Sequence, residues 1–197
     1  MDVEVDFDKY LRIKTNGRDD SKSNYLNFPY EPTPYQVIER LANSGYITKR
    51  DKIIDYGCGK GRVDFYLGFQ TKAKMIGIEY DERLYNVAKK NQETAISANK
   101  VNFININALD YELEQNVTGA YFFNPFSTKI LKVVIEKILK YVLLNQIEFK
   151  LFFYYPSNSY LELLKEYENL VSCEKIECYD LFKEHDTKEY ILICKIK

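Results

Sequence analysis

The sequence predicts an α/β protein, a three-layer α/β/α sandwich around a seven-stranded, mostly parallel sheet whose last strand is antiparallel. Three observations lead there. Short apolar runs alternate with longer segments of helical spacing between Lys52 and Leu170, the pattern of a parallel sheet covered on both faces. The first strand runs into a glycine-rich turn, DYGCGKG at 55–61. The last two strand-like runs, at 173–180 and 188–196, are joined without a helix. A parallel crossover needs about a dozen residues or more, so that short link implies an antiparallel hairpin.

The elements follow in order. Thr33-Pro34-Tyr35-Gln36 combines a capping residue, proline at the first helical position and Gln at the third, so a helix is expected from there to Ser44, ended by Gly45. Strands are expected at 52–56, 73–79, 101–106, 119–123 and 149–155. Helices are expected at 61–70, at 81–99 with Leu84, Val87, Ala88 and Ala95 on one face, at 128–144, and at 158–170. Residues 1–32 read as an N-terminal arm or flap with Asn16-Gly17 and an aromatic cluster of Tyr25, Phe28, Tyr30 and Tyr35. Residues 33–197 read as one domain, since 197 residues with 46% hydrophobic content bury one sizeable core.

Composition narrows the function classes. A formal charge of -1, with Lys and Glu interleaved, provides no strong nucleic-acid signal. No uncharged apolar run approaches the roughly 18 to 20 residues of a membrane span. The acidic start, Asp2, Glu4, Asp6 and Asp8, is unlike a secretory signal. Cys58, Cys173, Cys178 and Cys194 lack metal-type spacing, so no metal site is expected, and reduced thiols in a cytoplasm fit them. The only histidine, His185, falls in the hairpin link as a surface residue.

The chemistry concentrates at strand ends. Asp55 precedes glycines at 57, 59 and 61, where a Cβ would forbid some torsions and close approaches. A nicotinamide dinucleotide fingerprint requires a third glycine at position 62, which is Arg, and a strand-end carboxylate repels phosphate while welcoming an ammonium group. About 20 residues on, the second strand ends in Glu79, placed to accept hydrogen bonds from two ribose hydroxyls, and is followed by Tyr80. The third strand ends in Asn107-Ala108, with Asp110 nearby, and the fourth in Asn124-Pro125-Phe126. A turn, a solvated strand end or a loop cap explains each feature alone; their joint spacing after successive strands favours a site.

Segment 55–61 resembles the first motif of class I S-adenosylmethionine-dependent methyltransferases, a family with this seven-stranded sheet. The resemblance implies S-adenosyl-L-methionine as cofactor. Asp55 would hold its ammonium group, and Tyr56, Gly57, Cys58, Gly59 and Gly61 would pass beneath the methionine and ribose. Glu79 would bind the ribose, and Tyr80 and Asn107-Ala108 the adenine, with Asp110 competing for Asn107's role. Asn124-Pro125-Phe126 is similar to a shortened N-P-P-[YF] motif of amino-group methyltransferases. Asn124 and a backbone carbonyl would then accept hydrogen bonds from the target nitrogen, Phe126 would stack on it, and Asn124 would also border the methyl donor. Asn-Pro followed by Ser127 is equally an ordinary strand-to-helix turn. Tyr30-Glu31-Pro32-Thr33-Pro34-Tyr35 is similar to an aromatic-Pro-Ser/Thr segment of some protein-lysine methyltransferases, which makes Tyr30 and Tyr35 the substrate-binding candidates. The expected acceptor is a nitrogen of a protein side chain or small amine. A nucleobase acceptor and a cofactor-binding protein without transfer activity stand as alternatives.

Overall fold

A computed structural model describes residues 3–21 and 26–196. Its sheet contains β1 (Lys52–Tyr56), β2 (Lys74–Glu79), β3 (Val101–Asn105), β4 (Gly119–Phe122), β5 (Phe149–Tyr154), β6 (Leu170–Glu177) and β7 (Tyr190–Ile196). The order is β3-β2-β1-β4-β5-β7-β6. The pairs from β3 across to β5 are parallel, and β7 enters antiparallel between β5 and β6. This is the predicted topology. Chain order reverses between β1 and β4, which opens a crevice beyond their carboxyl ends.

The helices are α1 (Val3–Leu11), α2 (Tyr35–Asn43), α3 (Arg62–Gln70), α4 (Glu82–Gln92), α5 (Thr128–Asn145) and α6 (Asn158–Leu164). Helix α5 buries Ile130, Leu131, Val134, Ile135, Ile138 and Val142, a stripe at three- and four-residue intervals, against one sheet face. Helices α2 and α3 cover the other face, with Val37, Ile38 and Leu41 meeting Phe65 and Leu67 in a second cluster.

Four expectations need correction. The helix expected over 81–99 stops at Gln92; the Thr94 and Ala95 amides close a last turn on the Asn91 carbonyl, and the N-terminal segment then draws the chain aside, with Ile96 N–H donating to the Leu11 carbonyl and Thr94 Oγ1 to that of Arg12. Helix α6 is shorter than expected and β6 starts earlier, at Leu170. Thr33 does not cap α2; Pro34 holds that position, and the Thr33 hydroxyl pairs with Tyr121. Cys173 and Cys194 stand opposite each other on β6 and β7 and form a disulfide, leaving Cys58 and Cys178 as thiols.

Part of the N-terminal segment packs into the core. Leu11, Ile13, Asp8 and Thr15 are buried, and Asp8 accepts hydrogen bonds from the Thr15 amide, the Thr15 hydroxyl and Tyr35 Oη. Residues 26–33 then cross the sheet crevice as a strap. Tyr25, expected in the aromatic cluster, lies outside the described residues.

Candidate active site

β1 delivers Asp55 to the crevice because its residues from Ile53 to Tyr56 are all buried between the helical layers. Beyond it the chain turns through three glycines at positive φ. All three are held by close approach, Gly61 against the ring of Phe103. A Cβ on Gly57 would stand 2.5 Å from Cβ of Pro125, and one on Gly59 would overlap the ring of Tyr30. The turn is tied to β2, since the amides of Gly57 and Cys58 both donate to the Ile78 carbonyl, at 2.8 and 3.1 Å.

Glu79, at the end of β2, is anchored to the same turn. Its Oε2 accepts the Gly59 N–H at 2.9 Å and its Oε1 the Asp81 N–H at 2.8 Å. The Tyr80 N–H bonds the same carboxylate, so three backbone amides hold it in place. Burial pushes its carboxyl up to about 7 in spite of these amides. Burial also raises Asp55 to about 7, with the Asp64 carboxyl beside it and the charge of Glu79 nearby. Two acids held this way favour a ligand that brings positive charge and hydroxyl donors.

The crevice closes over a cavity of ≈ 80 Å³. Asp55, Gly57, Cys58, Glu79 and Tyr80 line its donor side, with Asn107, Ala108 and Ile106 beyond β3. Pro125, Phe126, Phe123 and the strap residues Phe28 to Thr33 line the other wall. The strap is stitched to the turn after β4: Phe28 N–H donates to the Pro125 carbonyl and Ser127 N–H to that of Leu26. Among the described residues no group of acids, cysteines and histidine is arranged to hold a metal ion, and no helix is long and apolar enough to cross a membrane.

Several expected site residues also serve the fold, and some lie away from the cavity. Tyr56 is a core residue, stacked on Phe122 with centroids 5.2 Å apart. Cys58 packs against Gly77, and burial raises its thiol well above the ordinary value, which suits a small turn residue rather than a nucleophile. Asn107 caps its own loop by accepting the Leu109 N–H. Asn124, at φ 42°, has its carboxamide engaged at both ends: Nδ2 donates to the Tyr155 carbonyl at 2.7 Å and Oδ1 accepts the Ser157 N–H at 3.1 Å. It stands outside the cavity lining, which Pro125 and Phe126 reach. Tyr35, expected at the substrate, is fully buried with its hydroxyl on Asp8 and the Arg62 guanidinium 4.4 Å from its ring centroid. A packed arginine and an acid acceptor hold it in the core.

Three participants escaped the sequence reading. Phe123 lines the cavity, Arg62 ties α3 to the N-terminal segment, and Asp64 sits behind Asp55. Arg62 had a signal, a charged residue at the first position of a helix that is otherwise apolar at 63, 65, 66 and 67.

A parallel sheet with its switch point at an acid-flanked glycine turn, and a second acid at the end of the neighbouring strand, defines a class I S-adenosylmethionine-dependent methyltransferase. Residues 47–148 match the family model described as a methyltransferase domain, and the chain belongs to that family. Its methyl donor is S-adenosyl-L-methionine. Among curated proteins, it is 26% identical over 114 residues to a protein-lysine N-methyltransferase of Saccharolobus islandicus, covering 57% of this chain and 70% of that one. Among solved structures, an O-methyltransferase of Thermotoga maritima superposes with a TM-score of 0.64 at 15% identity, over 85% of this chain and 67% of that one. An RNA methyltransferase of Salinibacter ruber, in complex with S-adenosyl-L-homocysteine, gives 0.52 at 17% identity, over 84% and 92%.

Proposed function

We propose that this enzyme methylates a nitrogen, and that the acceptor is a lysine side chain of a protein. The observation that carries this reading is the contact between donor and acceptor elements: Pro125, in the Asn-Pro-Phe turn, packs directly on Gly57 of the cofactor turn. The cofactor brings a sulfonium methyl, already a strong electrophile, so the protein's work is alignment and exclusion of water. Asp55 would hold the cofactor's ammonium group, and Glu79, fixed in place by the amides of Gly59, Tyr80 and Asp81, would accept from its ribose hydroxyls. Tyr80 and Ala108 would border the adenine.

On the acceptor side, Phe28, Tyr30, Phe123 and Phe126 make an aromatic wall with Glu31 at its edge. Such a wall attracts a lysine cation at the entrance. Deeper in, the apolar surroundings favour the neutral amine that must attack. The second lone pair of the Pro125 carbonyl is available to a donor N–H, and Asn124 fixes the turn through Tyr155 and Ser157. The aromatic-Pro-Thr segment at 30–33 and the similarity to a protein-lysine N-methyltransferase support lysine over a nucleobase.

The test is incubation with S-adenosylmethionine carrying a labelled methyl group, together with separate protein, RNA and metabolite pools. Label recovered as methyl-lysine is expected. Label in RNA alone would overturn the lysine assignment, and tight binding with no transfer to any pool would favour a non-catalytic binder.

A further inference from the structure

Behind Asp55 stands a second acid that the reaction scheme has not used. Asp64 occupies the first turn of α3, is fully buried, and does not reach the cavity that Asp55 lines. Neither of its carboxyl oxygens has a donor in bonding geometry among the described residues. Its carboxyl meets that of Asp55 in side-chain hydrogen-bond contact, with its own backbone amide nearby. Two buried carboxylates in contact, with no cation between them, cost too much to persist, and a single shared proton satisfies both. The start of α3, whose dipole favours negative charge, helps to accommodate the one charge left over.

We propose that Asp64 is a positioning residue for the cofactor, sharing one proton with Asp55 so that the pair turns a single negative charge toward the ammonium group of S-adenosylmethionine. This rests on the reading that Asp55 receives that ammonium group. The shared proton directs one oxygen of Asp55 to Asp64 and leaves the other for the ligand. Burial raises both acids, Asp64 well above the ordinary carboxylate range and Asp55 to about 7. Near neutral pH the pair therefore alternates between one proton and two, and only the singly ionised form attracts a cation. Other groups interacting with the pair are Glu79 at the end of β2, the Cys58 thiol in the turn, and the hydroxyls of Tyr30 on the strap and Tyr121 on β4. On α3 itself, Arg62 directs its guanidinium to Thr15, Asn16 and Thr33.

Binding of S-adenosylhomocysteine and of 5′-methylthioadenosine, measured by calorimetry from about pH 5.5 to about pH 8 in buffers of different ionisation enthalpy, separates the contributions. The second ligand keeps the ribose on Glu79 and lacks the ammonium group. S-adenosylhomocysteine is expected to lose affinity by up to about tenfold per pH unit below about pH 7 and to release more protons than methylthioadenosine. In Asp64→Asn the amide replaces the shared proton as donor to Asp55, so the profile should shift at least about one pH unit to the acid side at unchanged melting cooperativity. A wild-type pH profile in Asp64→Asn overturns the proposal. Equal proton release by the two ligands in the wild-type protein overturns it without any variant. Failure of the wild-type protein to bind S-adenosylhomocysteine at all overturns the cofactor reading instead.

Discussion

The Cδ2–Cε2 side of the Tyr30 ring occupies the space a side chain at Gly59 would need, while its hydroxyl donates to the Thr15 carbonyl. The strap thus seals the glycine turn from above. Gly59→Ala adds a methyl group under the ring and forces alanine to φ 55°. It should cost about 1–3 kcal/mol of stability and weaken S-adenosylhomocysteine binding at least tenfold, read by thermal melting and calorimetry.

The two cavity acids make an opposite demand on the empty fold. With folded-state values of about 7 for Asp55 and Glu79, both raised by burial, the folded protein binds more protons than the unfolded chain between about pH 4 and pH 7. Their contribution to stability is therefore present at acid pH and is lost as pH rises through that window, by at most about 1.4 kcal/mol per pH unit for each group. The ligand-free protein should gain melting temperature from these groups between pH 7.5 and about pH 5.5, and S-adenosylhomocysteine should stabilise it most at the upper end. A melting series at several pH values, with and without ligand, checks both signs.

Asn124 connects the turn after β4 to the loop after β5. Asn124→Ala removes the bonds to Tyr155 and Ser157 and leaves a non-glycine residue at φ 42°, for an expected loss of about 1–3 kcal/mol. Because Asn124 shapes the wall carrying Pro125 and Phe126, kcat should fall by about tenfold or more, with S-adenosylhomocysteine affinity changed less than threefold. Steady-state kinetics beside calorimetry distinguishes the two effects.

The N-terminal segment and α3 meet at Arg62, whose guanidinium donates to Thr15 Oγ1, to the Thr33 carbonyl and to Asn16 Oδ1. Arg62→Met orphans all three acceptors and should cost at least about 3 kcal/mol. Arg62→Lys should recover less than half, since one ammonium cannot span the three positions. Chemical denaturation of the two variants gives the comparison.

Much of the sheet was readable from local pattern. The strand at 52–56, the turn after it and the acid at Glu79 carry their signals within a few residues, and the missing helix before β7 announced the antiparallel insertion. Features that depend on partners far along the chain were not readable. Asp8 becomes a buried hub because Thr15 and Tyr35 fold back onto it, and the chain after α4 leaves the helical path where the Leu11 carbonyl takes the Ile96 amide. The same limit applies to the site: Asp64 lies in an apolar helical run and gains its meaning from Asp55 on the adjacent strand. Tyr35 carried a substrate-like motif, and three-dimensional packing against Arg62 and Asp8 placed it in the core.

The strap roofs Gly59 through Tyr30 and, two residues earlier, pairs its Phe28 amide with the carbonyl of Pro125, on the wall proposed to receive the acceptor. One stretch of backbone therefore touches both the glycine turn and the proposed acceptor wall. On the proposed assignment a displacement of the strap at Tyr30 is transmitted to Pro125, so the methylated product should depart before or together with the exchange of cofactor, giving the catalytic cycle a sequence imposed by chain connectivity rather than by affinity.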